Sequence, residues 1–166
     1  MASVNRWSYS LSVVEEAVCA QVGWNRQQEY LGRPDKNINY SEGDVWESFQ
    51  HMVCAGSELA LARMFGLKSF VPSCNTYKTE LDIPGVGEVR YSERGLRFTT
   101  RDDPKLKYIL LVGGLGIKTR RVAPDWLGAP YVAVGWMYGH ECVREEWRFN
   151  KNTFYAPRAL IHTMPV

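Results

Sequence analysis

The sequence lacks a long apolar run, a paired-cysteine motif, internal repeats, low-complexity tracts and a strong charge of either sign. No stretch approaches the ~18–20 apolar residues needed to cross a bilayer, so no membrane partner is expected. Met1 to Ser10 shows neither the apolar run nor the cleavage-site pattern of a secretory leader. The four cysteines, Cys19, Cys54, Cys74 and Cys142, form no CxxC or zinc-ligand pair. Three sit in apolar contexts and read as buried free thiols, which points to a reducing, cytoplasmic setting. With 20 Lys+Arg against 18 Asp+Glu, the net charge of +2 falls short of the usual basic footprint of a nucleic-acid-binding protein. A local basic face remains open at that charge.

What is present is a chain able to build a core. Its 166 residues fit one domain spanning 1–166. Hydrophobic residues at 45% and aromatics at 13% exclude a disordered chain.

Leu11, Val14, Val18 and Val22 recur at three- and four-residue spacing and predict a helix from Ser10 to about Tyr30. Ser10 or Ser12 is its candidate cap, and Gly32-Arg33-Pro34-Asp35 ends it. Residues 35–43 are polar and read as a loop. Ser41 and Asp44 mark the start of a second helix that runs to about Phe65, with Val45, Phe49, Met52, Val53, Leu59, Ala60 and Met64 as its apolar face. Small residues at Cys54-Ala55-Gly56 allow close approach of another element, and Gly66 is the expected C′ residue. After Pro72 the pattern turns to strands: 81–83, 88–92 and 96–100 read as a meander, then 108–112 as a central strand and 131–137 as a further one. Residues 113–129 read as irregular, and Pro157-Arg158-Ala159-Leu160 as the start of a short last helix. Strands follow helices rather than alternate with them. The expected fold is therefore α+β, a mixed central sheet with flanking helices, not a Rossmann fold.

The chemistry-bearing constellation is Asp82 with Glu88-Val89-Arg90. Glu88 and Arg90 are two apart on a strand, so they share a face. The five residues between Asp82 and Glu88 suit a tight hairpin that sets the two carboxylates nearly opposite each other. Like charges so placed repel unless a cation intervenes, and Mg²⁺ or Mn²⁺ takes such oxygen ligands. The plainer reading is a solvated acidic turn with an Arg90 salt bridge.

This arrangement resembles the PD-(D/E)XK nuclease superfamily, in particular small phage-encoded members of it. The likeness runs through Gly56-Ser57-Glu58-Leu59-Ala60, Asn75-Thr76-Tyr77-Lys78, Asp82 and Glu88-Val89-Arg90, then the strands at 108–112 and 132–136. It implies a restriction-endonuclease-like core over 44–166, preceded by an N-terminal helical extension, 1–43. It also implies metal-dependent phosphodiester hydrolysis, with Asp82, Glu88 and the Val89 carbonyl as metal ligands and Glu58 as an assisting acid. The family's lysine is replaced by Arg90, which stays protonated and stabilises charge without moving a proton. Lys78 is the candidate for a migrated lysine. The implied partner is nucleic acid, DNA ahead of RNA, in the cytoplasm of a host if the chain is phage-encoded. The alternative is a catalytically degenerate module of the same fold that binds nucleic acid or a host protein without cleavage. A homodimer is a further expectation.

Other features are weaker. Gly113-Gly114-Leu115-Gly116 lacks the spacing and the lysine of a phosphate loop. His51, His140 and His162 are not at metal-ligand spacing. Cys74 has no histidine near it in sequence. Trp126, Trp136 and Trp147 offer rings for base stacking or for packing. Lys105, Lys107, Lys118, Arg120 and Arg121 form either a phosphate-holding face or a solvated loop face.

Overall fold

The computed structural model describes residues 6–32, 44–75, 80–113 and 128–165, with the side chains of 44–48 left out. The architecture is α+β. In chain order the elements are β1 (Ser8–Tyr9), α1 (Val13–Leu31), α2 (Asp44–Met64), β2 (Glu88–Tyr91), β3 (Leu96–Thr99), β4 (Lys107–Gly113) and β5 (Tyr131–Tyr138). A short α3 (Gly139–Cys142), then β6 (Arg148–Asn150), β7 (Thr153–Ala156) and β8 (His162–Thr163) complete it. The helix expected from Pro157 is one 3-10 turn, Arg158–Leu160.

Both long helices carry the expected end signals. Ser12 caps α1: its Oγ accepts from the Glu15 amide at 3.3 Å, and the Glu15 carboxylate accepts from the Ser12 amide at 3.0 Å. Gly66 follows α2 at φ 77°, and the Leu67 amide returns to the Ala62 carbonyl at 2.9 Å. The predicted stripe is buried only at its two ends, Leu11 and Val22, and not at the valines between them. Val14 is 73% exposed and Val18 36%, whereas Glu16, Cys19, Val22, Gly23, Arg26 and Gln27 are buried. Glycine at 23 permits this: a Cβ there would lie 2.5 Å from the Met52 amide nitrogen on α2, so the helix backbones meet. Similarly, Gly56 on α2 receives the Tyr131 ring of β5, the close approach that the small residues at 54–56 predict.

The main sheet has the order β1-β5-β4-β2, with β8 also paired to β5. β4 sits centrally, antiparallel to β5 and parallel to β2. A second, three-stranded sheet has the order β3-β7-β6. Residues Tyr108 to Val112 of β4 are apolar because both faces of the strand are covered. Ile109 and Leu111 pack with Leu59, Ala60 and Val89 under the helices, and Tyr108 and Leu110 pack with Phe98 and Phe154 of the second sheet.

The expected three-strand meander is not formed. The turn at Pro84–Gly87 is closed by the Val86 and Gly87 amides donating to the Ile83 carbonyl, at 3.0 and 3.2 Å. Only an isolated Ile83↔Gly87 bridge remains of the strand expected at 81–83. β2 pairs with β4, and β3 leaves to pair with β7, where Leu96 and Phe98 find cover. Among the described residues, no helix is long and apolar enough to cross a membrane. Cys19 and Cys142 are buried free thiols, while Cys54 and Cys74 are exposed, so two thiols rather than three are buried.

The helix contact at Gly23 gives a direct test. Gly23→Ala forces a Cβ into the α2 backbone and should cost about 1–3 kcal/mol in urea unfolding, against little change for Gln28→Ala on the exposed side.

Candidate functional site

β2 is the last strand of the main sheet, so the main-chain groups of Val89 that face away from β4 have no strand to pair with. Side chains take them instead. The Asp82 carboxylate accepts from the Val89 amide at 2.9 Å, and the Arg90 guanidinium donates to the Val89 carbonyl at 3.2 Å. The Glu88 carboxylate in turn accepts from the Asp82 amide at 3.4 Å, and the two side chains hydrogen-bond to each other. Asp82 and Glu88 therefore meet, as their spacing predicts, although Asp82 reaches the site from a turn rather than from a strand.

Burial, and then the negative charge of Asp82, push the Glu88 carboxyl up to about 7. Arg90 opposes this from 3.7 Å and is itself held by Asp102 at 3.1 Å, with its guanidinium 4.8 Å from the centre of the Tyr108 ring. Asp102 is oriented by the Thr99 amide, which donates to it at 2.7 Å.

Glu58 lies on the buried face of α2 and is not free to act alone. Arg26 of α1 grips both its carboxylate oxygens, at 2.9 and 2.8 Å, and both residues are 5% exposed. The Arg26 Nε–H also donates to the Ser73 carbonyl at 2.8 Å. The charge of Asp82 adds a smaller electrostatic pull on Arg26. Arg26 and Asp102 are the members that the pattern reading missed. The signal for Arg26 was its place on one helical stripe with Cys19, Val22 and Gly23; Asp102 sits in a polar turn with no pattern to mark it.

Lys78, Lys118, Arg120, Arg121, Trp126 and Gly114–Gly116 lie outside the described residues. Lys107 lies against the Trp136 ring at 4.7 Å, and Trp147 is 7% exposed with Arg144 over it, so packing accounts for both tryptophans. His162 pairs with Glu141 at 2.7 Å, and His140 stacks on Tyr138. Among the described residues, no three His, Cys, Asp or Glu side chains are grouped to hold a metal. Asp82 and Glu88 are two adjacent hard-oxygen donors. That donor chemistry fits a divalent cation completed by water, with the Val89 carbonyl available only if Arg90 moves off it. Comparison with family profiles, with curated proteins and with solved structures finds no match to this chain.

Two measurements check this geometry. The folded chain holds the Glu88 proton more tightly than the unfolded chain, so this contribution to stability is complete below about pH 4.5 and is lost as pH rises through about 7. Glu88→Gln should therefore gain on the wild type between pH 5 and pH 8, by on the order of 1–3 kcal/mol in denaturant titrations. Arg26→Met leaves Glu58 charged and buried without its partner, and should cost about 3–5 kcal/mol.

Proposed function

We propose that the protein is a metal-dependent nuclease that hydrolyses phosphodiester bonds in nucleic acid, DNA ahead of RNA, using Mg²⁺ or Mn²⁺. The observation that carries this reading is the contact between the Asp82 and Glu88 carboxylates at the open edge of β2, with a guanidinium beside them. A divalent ion bound by these two groups supplies charge to phosphoryl oxygens and acidifies a water.

The remaining roles fall to the chain itself. Asp82 is fixed by the Val89 amide, so its carboxylate keeps a constant direction. Glu88, which sits near neutrality in its proton affinity, can hold or release a proton at its carboxylate without a large cost either way. Arg90 keeps its charge at any working pH and stabilises the anionic phosphoryl group as a donor, not as an acid or base. Glu58 acts through Arg26: the pair fixes a guanidinium that interacts electrostatically with Asp82. Lys78 is a second candidate cation. The resemblance to phage-encoded nucleases supports a cytoplasmic site of action.

A second reading rests on Arg90. Its guanidinium lies on the Val89 carbonyl and 3.7 Å from Glu88, where an external cation would otherwise sit. An internal cation in that position suits a degenerate module that binds nucleic acid or a host protein without cutting.

Incubation with single- and double-stranded DNA and RNA in Mg²⁺, Mn²⁺ or EDTA separates the two. The nuclease reading expects cleavage that requires metal and falls by at least about 100-fold in Asp82→Ala and in Glu88→Gln. Binding without cleavage of any substrate, unchanged by Arg90→Lys, favours the second reading.

A further inference from the structure

The outer face of the second sheet is built unlike the rest of the surface. β3 and β7 pair with Phe98 opposite Phe154 and Leu96 opposite Ala156 on the buried side, so Arg97 and Tyr155, also opposite each other, share the outer side. Phe149 of β6 meets the Tyr155 ring edge-on at 5.5 Å. Arg94 lies over both rings, 4.7 Å from Phe149 and 5.8 Å from Tyr155. Even with that guanidinium against it, Phe149 is 58% exposed, so an aromatic surface stays open to solvent.

Charge is concentrated in the same place. Segments 93–101 and 144–158 hold seven Arg and Lys against three Glu, an excess of +4 in a chain whose total is only +2. Two of those acids are neutralised locally, Glu93 by Arg158 at 2.9 Å and Glu145 by Arg148 at 2.5 Å. Arg94 and Arg97 have no ion-pair partner among the described residues. An open phenyl ring costs hydration, and neither Arg94 nor Arg97 is neutralised by an acid among the described residues. A ligand with flat apolar faces and regularly spaced negative charges relieves both.

We propose that this face binds a single strand of nucleic acid, with bases stacking on Phe149 and Tyr155 and the phosphates held by Arg94 and Arg97. A duplex hides its base faces, so the exposed rings select the unpaired strand. This deepens the nucleic-acid reading above and rests on it. The chain links the two places: Arg94 follows Arg90 by four residues across the β2–β3 turn, and Asp102, which holds Arg90, closes the turn after β3.

The test uses the full chain in EDTA, so that no cleavage occurs, and fluorescence anisotropy with labelled oligo-dT, oligo-U and a duplex of equal length. Single strands should bind more tightly than the duplex. Phe149→Ala should weaken single-strand binding about ten-fold or more. Arg94→Ala with Arg97→Ala should weaken it further and lower the salt slope by roughly 0.7 for each phosphate contact removed. Gln28→Ala, on the exposed face of α1, should bind as the wild type does. These side chains are exposed, and thermal unfolding of each variant confirms that it folds. Equal binding by wild type, Phe149→Ala and the double arginine variant overturns the proposal and leaves the nuclease reading untouched. Absence of single-strand binding by the wild type also overturns it, while the separate cleavage assay decides the nuclease reading.

Discussion

Two opposite charges taken out of water must hold each other, and Arg26 and Glu58 do so with two hydrogen bonds at 2.9 and 2.8 Å across the interface of α1 and α2. That fork sets the rotation of α1, because Arg26 can reach Glu58 only if the stripe of Glu16, Cys19, Gly23 and Gln27 is turned inward. The same rotation leaves Val13 and Val14 in water. Buried pairs of this kind add little net stability, since desolvation offsets most of the attraction. Their effect is on geometry: the wrong packing of α1 strands a charge. The third hydrogen bond, to the Ser73 carbonyl, carries the constraint into the segment that leads toward Asp82.

From there the site is a chain of compensations. Asp82 is held by a main-chain amide, Glu88 is crowded by Asp82, and Arg90 answers Glu88 while being held by Asp102. No single residue is neutral to its neighbour. The result is two carboxylates in contact at the edge of β2, with the Arg90 guanidinium beside them.

Much of this was legible in the sequence where local rules decide the outcome. The Ser12 capping box, the Gly66 terminus, the central strand at 108–112 and the meeting of Asp82 with Glu88 all follow from short-range spacing. The misreadings came where long-range partners decide. The apolar periodicity of Val14 and Val18 pointed to the wrong face of α1, because Gly23 and a buried arginine outweighed a few valines. The meander failed because the segment at 81–83 folds into the Ile83–Gly87 turn, which leaves only an isolated bridge, and because β3 buries more by joining β7. Arg26 was missed since a charged residue on a helix is normally read as solvated. Nothing in its own sequence neighbourhood names Glu58, 32 positions away, as its partner.

The side chains that serve the candidate site also finish the sheet. Asp82 and Arg90 occupy the two main-chain groups that Val89 would otherwise offer to any passing extended chain. The edge is closed by an acid and a base rather than by a bulge, a proline or another strand. Loss of the acidic turn therefore reopens a template for strand addition at Val89, so the fold itself has a reason to keep these side chains whatever else they do.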